Sequence, residues 1–244
     1  MWKSGFFILF FCISLQLASQ SFKLSQQKAI RVKSAYSEKW EGLKSDIKKK
    51  GISEKFELFI RVFKESKLVE VWLKSNSESE YKLFKSYDIC ASSGRLGPKR
   101  SQGDGQVPEG FYTIAVFNPY SSYHLSLGLS YPNASDRIKG KGNLGGDIMI
   151  HGSCVTIGCL PLTDTYIKEV YILAVEAKNN GQQNIPVHIF PTKMNDKGML
   201  FLSELNTDLL DFWKNLKPGH DYFENNKRVP KISTDKSGNY LVGH

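Results

Sequence analysis

The spacing of apolar residues changes once along this chain, near residue 56. Before that point Val32, Tyr36, Trp40, Leu43 and Ile47 recur at three- and four-residue intervals among Lys, Gln and Ser, which is the period of one helical face. One or two helices are expected over 21–51, stopped by Gly51. From 56 to 74 apolar and polar residues alternate in two runs around a turn at 64–66, the pattern of a β-hairpin. Further strand-like runs lie at 81–89, 111–117, 124–131, 147–150 and 185–190. Helical spacing returns at 164–178, with Thr163 or Asp164 as N-cap, and at 202–216. A terminal hairpin is expected over 231–242, turning at Ser237 and Gly238. Many short strands with few helices predict a mainly β architecture with helical additions, the α+β class.

Two stretches interrupt that pattern. ASSGRLGPKRSQGDGQVPEG (91–110) is dense in Gly, Pro, Ser and basic residues, a loop long enough to raise a functional question. At the start, Lys3 precedes the apolar run GFFILFFCISLQL (5–17). This run has signal-peptide length and is shorter than a span of roughly 20 apolar residues. A leader over 1–20, cut near Ala18 to Gln20, predicts an exported protein of the periplasm or cell envelope, an uncleaved anchor being the alternative. Removing it also removes Cys12 and leaves Cys90, Cys154 and Cys159. An odd number in an exported chain points to one reactive thiol. For the other two, a Cys90–Cys154 disulfide and two free buried thiols both remain open.

Composition narrows the function less. The chain has 33 Lys and Arg against 24 Asp and Glu, a net charge of +9. A basic balance serves nucleic acid, an anionic surface or solubility alone. No nucleic-acid recognition motif accompanies it, and the basic residues are scattered, so nucleic acid is not an expected partner. No phosphate-binding glycine motif appears in a suitable context, and no cofactor is expected.

The chemistry concentrates in DIMIHGSCVTIGCLPLTD (147–164). A strand delivers His151, a glycine-containing turn follows, and Cys159 stands after Gly158 and before a helix. A thiol nucleophile needs a base to take its proton and donors to hold an oxyanion. A histidine titrates near pH 6.5, and its imidazolium lowers a neighbouring cysteine from about 8.5. Three readings compete. His151 and Cys159 form a catalytic pair, or they are a core histidine and a buried thiol, or His151, Cys154 and Cys159 hold zinc. Structural zinc sites use four ligands and no second close pair is present, so no metal is expected. Cys154 lacks the preceding glycine and is the weaker nucleophile candidate. Lys99 and Arg100 in the 91–110 loop are candidates for meeting a substrate carboxylate, or are merely solvated.

The run IHG followed by TIGCLPLTD resembles the active-site motif of the YkuD-type L,D-transpeptidases, in the shortened form of their YafK-like branch. GRLGPKRSQGDGQVPEGFYTI (94–114) resembles the Gly-Pro-Lys, Gly-Asp and Pro-Glu-Gly segments of that family, and FWKNLKPGHDYFE (212–224) the C-terminal extension of the branch. Together they cover roughly 57–242. The resemblance implies a β-sandwich-like catalytic domain over 57–191, a helical segment before it (21–51) and an extension after it (192–244). It implies that Cys159 attacks a peptidoglycan stem peptide to form a thioester and that His151 is the base. The Gly152 carbonyl would orient the imidazole, and the N–H groups of Gly158 and Cys159 would form the oxyanion hole. Neither metal nor organic cofactor is implied, and contact with the wall would be peripheral. Ile157 replaces a second His of the commoner motif, and no Arg follows Cys159. Those departures keep a rival open: an L,D-hydrolase that trims stem peptides or releases wall-attached protein. A wall-binding protein without activity is the third possibility, and the intact His151/Cys159 pair argues against it.

Overall fold

The computed structural model describes residues 22–243, so the leader expected at 1–20 lies outside it, as does His244. In chain order the first half comprises α1 (Ile30–Lys49), β1 (Phe56–Phe63), β2 (Leu68–Ser75), β3 (Lys82–Asp88), β4 (Gly110–Asn118), β5 (Ser126–Leu129) and α2 (Ala134–Lys139). Then come β6 (Met149–His151), β7 (Leu160–Pro161), α3 (Asp164–Asn179), β8 (Pro186–Phe190), α4 (Asp196–Leu205), α5 (Leu210–Asn226), β9 (Lys231–Thr234) and β10 (Tyr240–Gly243). An eight-stranded sheet runs β3-β2-β1-β8-β4-β5-β6-β7, and β9 and β10 form a separate hairpin. Most contacts in the sheet are antiparallel; β1 with β8 and β6 with β7 are parallel. β4 serves both halves, pairing over Gly110 to Thr113 with β8 and over Ile114 to Asn118 with β5. This is the α+β class that the apolar pattern predicts.

Successive strand residues face opposite sides of a sheet, and here both sides are covered. Leu58, Ile60 and Val62 of β1, Val69 and Val71 of β2, and Val187 and Ile189 of β8 point into the main core with α1 and α3. The residues between them, Phe59, Phe63, Trp72 and Phe190, face α4, α5 and the terminal hairpin. Central strands covered on two sides read as near-continuous apolar runs, which explains FELFIRVF. α3 is enclosed in the same way, with every residue from Val170 to Ala177 buried. Glu176 on α3 accepts from Tyr36 Oη on α1 at 2.7 Å and pairs with Lys23 at 2.5 Å, so the buried carboxylate ties the two helices together.

The second face carries a buried charge. Arg61 of β1 is bonded to Glu70 of β2 and Glu224 of α5, both at 2.7 Å, and the Trp72 indole donates to the same Glu70 at 2.9 Å. A buried guanidinium needs its full set of acceptors, and this one gets them by clamping α5 onto the sheet.

Three elements differ from expectation. The helix expected at 202–216 is two helices, α4 and α5, separated by a 3-10 turn at Thr207–Leu209 and restarted by the Asn206 side chain. α5 continues through Pro218 to Asn226. α2, with a capping box between Asn133 and Asp136, lies where no helix was expected.

Candidate active site

His151 ends β6 and is fixed from both sides. It pairs with Ser126 of β5 and Pro161 of β7, and its carbonyl accepts from Leu162 N–H at 2.7 Å. The ring is buried, and Nδ1 lies 2.5 Å from the Gly152 carbonyl oxygen. A carbonyl can only accept, so Nδ1 carries the proton and Nε2 keeps its lone pair. Burial holds the imidazole below the ordinary histidine value, with the Gly152 carbonyl opposing; the ring is a neutral base at pH 7. The Tyr123 ring packs on it at 4.8 Å between centroids. Gly152 has no room for a side chain, since a Cβ would stand 2.6 Å from Asp164 Oδ1 and 2.9 Å from the Tyr123 oxygen.

The 153–159 segment is held in place by hydrogen bonds at both ends. Ser153, left-handed at φ 62°, gives its N–H to Asp164 Oδ1 at 2.9 Å; Thr163, the N-cap of α3, accepts from Tyr166 N–H. Cys154 is joined to Cys90 by a disulfide, Cα to Cα 5.3 Å, which removes it as a nucleophile and as a zinc ligand. Cys159 is the free thiol among the described cysteines. Its Sγ donates to the Asp147 carbonyl at 3.6 Å. Burial raises its pKa; the Met149 N–H and the charge of Lys99 favour the thiolate, and Asp147 opposes it. An imidazolium that lowers the thiol was expected. In this structure burial instead keeps both groups neutral.

Strand register explains the spacing between the pair. Ile150 faces Leu160 and His151 faces Pro161, so Cys159 comes level with Met149, two residues before the base. Two residues of parallel strand are about 7 Å, with matching parity placing both on one side. No hydrogen bond joins Sγ to the imidazole in the described structure. The two groups share a ledge without touching.

The expected oxyanion donors are engaged as well. Gly158 N–H donates to Ser93 Oγ at 2.6 Å, and Cys159 N–H to Thr156 Oγ1 at 2.8 Å. Gly158 holds φ 100°, and a Cβ there would meet the Gln106 oxygen at 3.1 Å, so glycine is required for the close approach.

The 91–110 loop is an organised structure. Lys99 is buried and donates to Asp104 Oδ1 at 2.6 Å and the Ser101 carbonyl at 2.8 Å. Burial alone would raise Asp104, but Lys99 and the N–H groups of Arg100, Gln106 and Ser101 hold it at about 2. Arg100 pairs with Asp136 at 3.1 Å. Both cations proposed for a substrate carboxylate are therefore spent inside the fold, because each has a carboxylate of its own. Deeper still, Glu109 Oε1 accepts from Gly97 N–H at 2.6 Å and from Lys64 Nζ at 2.9 Å, while Oε2 accepts from Trp213 Nε1 at 2.8 Å.

Residues 58–189 match the YkuD family, the L,D-transpeptidase catalytic domain. The chain belongs to this family. It is 38% identical over 187 residues, 76% of this chain and 73% of the relative, to YafK of Escherichia coli K12, a candidate L,D-transpeptidase, and equally to YafK of strain O157:H7. Among solved structures, the helical cell shape determining protein Pgp2 of Campylobacter jejuni has a TM-score of 0.45 at 18% identity, covering 74% of this chain and 73% of Pgp2. Bd1075 of Bdellovibrio bacteriovorus has a TM-score of 0.42 at 21% identity, covering 75% and 79%.

Sequence reasoning about this YkuD domain missed Ser93, Thr156, Glu109 and Tyr123. Glu109 had a signal, the Pro-Glu-Gly segment inside an otherwise polar loop. Ser93 and Thr156 had none, since any hydroxyl in a loop reads alike. A small cavity of about 90 Å³ adjoins Cys159, walled in part by Lys64, Lys67, Leu96 and Val107. A larger one of about 600 Å³ lies between β4, β8 and the terminal hairpin, and neither His151 nor Cys159 lines it.

Proposed function

We propose that this chain is an exported peptidoglycan L,D-transpeptidase working through a thioester on Cys159. The observation that carries the reading is the free thiol among the described cysteines, near a histidine whose Nε2 lone pair is left available by the Gly152 clamp, in a member of the YkuD family. In the first half-reaction Nε2 takes the thiol proton as Sγ adds to the stem-peptide carbonyl. The C–N bond then breaks and the leaving amine receives that proton, giving the thioester. In the second, an acceptor amine adds to the thioester carbonyl and gives its proton to Nε2. The C–S bond breaks, and the thiol recovers its proton as the new amide forms.

The resting site supports a substrate-assisted order of events. The Ser93 and Thr156 hydroxyls accept from the Gly158 and Cys159 N–H groups, the places an acyl oxyanion takes during addition. Such a donor contributes about 10²–10³ in rate. Sγ turns from the Asp147 carbonyl toward the ring when substrate excludes water, and apo geometry of this kind is commonly loose. Export is supported by the apolar run at 5–17 and by the Cys90–Cys154 disulfide, a bond of oxidising compartments. N-terminal sequencing of the protein from an envelope fraction should start near Ser21.

The test is to incubate the protein with purified muropeptides and a labelled D-amino acid and read product masses. Transfer incorporates the label, and Cys159→Ala abolishes it. Shortened stems with no incorporation at high acceptor concentration would make the enzyme the L,D-hydrolase instead.

A further inference from the structure

The loop between β4 and β5, residues 119–125, lies over the base and is pinned by a residue of α1. One nitrogen of the Arg31 guanidinium, Nη1, donates to two carbonyls of the loop, that of Ser121 and, at 2.8 Å, that of His124. α1 is a firm support for it, with Val32, Ala35 and Tyr36 buried and Tyr36 bonded to Glu176 of α3. Between the two carbonyls stands Tyr123, whose ring packs on the His151 imidazole. The backbone beside that tyrosine presses on Gly152, the residue whose carbonyl accepts from Nδ1–H. A Cβ on Gly152 would stand 2.9 Å from the Tyr123 oxygen and 2.9 Å from His124 Cβ.

The imidazole needs this contact because its hydrogen bond does not fix it. The terminal torsion of a histidine is broad and roughly two-fold, and the acceptor is the carbonyl of the very next residue, which moves with the ring's own backbone. Packing has to settle the orientation. His151 is 2% exposed and Tyr123 48%, so the tyrosine is what stands between the base and water. The loop does not hold this shape unaided. Two carbonyl oxygens turned toward one point repel each other unless a donor lies between them. His124 is also left-handed at φ 69°, a region that a residue with a Cβ populates sparsely. Arg31 supplies the donor.

We infer that Arg31 is a positioning residue for the reaction, holding the 121–124 loop so that Tyr123 keeps the His151 imidazole oriented and covered. The inference rests on His151 acting as the base, and it makes α1, which precedes the matched stretch 58–189, part of the active site. An Arg31 that only tied α1 to the sheet would contribute to stability and leave the imidazole where it is. The two roles separate in the ring itself and in kcat.

The first measurement follows the Nδ1–H proton of His151 by NMR of isotope-labelled protein. In wild type this covered, hydrogen-bonded proton should exchange slowly enough to be seen. In Arg31→Met and in Tyr123→Ala it should be lost to exchange, while both variants keep the wild-type amide spectrum away from the loop. With peptide donors, Arg31→Met should lower kcat about tenfold, part of the 10²–10⁴ that a placed base contributes, with KM within about twofold. Arg31→Lys, whose ammonium can also donate to both carbonyls, should recover most of kcat. Lys28→Gln, which removes the same charge from the groove that Arg31 lines, should match wild type. In the Tyr123→Ala background, Arg31→Met should cost less than about twofold more, since residues acting through one contact are not additive. Absence of the Nδ1–H signal from wild type, its persistence in folded Arg31→Met, or a loss of kcat that adds in full to that of Tyr123→Ala would overturn the assignment. Loss of the signal in variants of a protein that never turns over peptide would keep Arg31 as the support of the imidazole and reject the transpeptidase reading.

Discussion

Replacing Glu109 by Gln tests how the active-site loop is held. The carboxylate is fully buried and accepts at both oxygens, from Gly97 N–H and Lys64 on one side and from the Trp213 indole on the other. Glutamine has one acceptor oxygen, so its NH₂ must face either the indole N–H or the Gly97 N–H, donor against donor. The Lys64 ammonium, with only 7% of its side chain exposed, loses its counter-charge. Breaking a buried pair by removing one partner costs about 3–5 kcal/mol. For a chain of this size about 2–4 °C of melting temperature accompanies each kcal/mol, so Glu109→Gln should melt about 6–20 °C lower, with a matching fall in urea midpoint at constant slope. In a cycle with Lys64→Met, the double variant should be less destabilised than the two singles summed. A loss under about 1 kcal/mol, or strict additivity of the singles, would refute the reasoning.

Three further outcomes follow. His188 is buried among Phe59, Phe111 and Phe190 with Nδ1 unpartnered, and burial, helped by Arg61, pushes its pKa down to about 3. The unfolded chain takes up the proton first, so this stability is present above pH 6.5 and is lost as pH falls toward 3. Urea unfolding should register about 2 kcal/mol of loss between pH 7.5 and 5 from this residue, and His188→Phe should remove that share of the slope. Because burial raises the Cys159 thiol, its iodoacetamide rate should rise with a midpoint above about 8.5. His151→Ala should leave that midpoint in place while cutting turnover by about 10²–10⁴; a lowered midpoint in wild type alone would instead reveal a resting ion pair. The Cys90–Cys154 bond closes a 64-residue separation, worth about 4 kcal/mol of chain entropy, and a denaturant midpoint unchanged by Cys90→Ala/Cys154→Ala would contradict that figure.

What was legible in the sequence followed periodicity. β1, β2, α1 and α3 have apolar runs strong enough to read: α1 repeats on one helical face, and β1, β2 and α3 are buried almost throughout. The C-terminal helices were misread because Pro218 and Gly219 look like a stop. α5 passes through both, and Gly219 is there because a Cβ would stand 2.5 Å from the Phe111 ring. β7, two residues long, has no period to detect. At the site, His151 and Cys159 stood out through their motif. Lys99 and Arg100 looked available because Asp104 and Asp136, which occupy them, are partners only in three dimensions. The hydroxyls of Ser93 and Thr156 were invisible for the same reason.

The covered second face of the sheet bears on where this protein begins and ends as a physical object. The catalytic-domain match stops at residue 189, but Phe63, Phe111 and Phe190 are roofed by Trp213, Leu216 and Tyr240 from beyond that point, and Arg61 and Glu109 each take one further partner there, Glu224 and Trp213. Cut at residue 189, the chain would expose an aromatic sheet and leave Arg61 and Glu109 each short of one partner in it. The stretch that defines the catalytic domain and the stretch that thermodynamics accepts as a folding unit are, in this chain, different lengths of polypeptide.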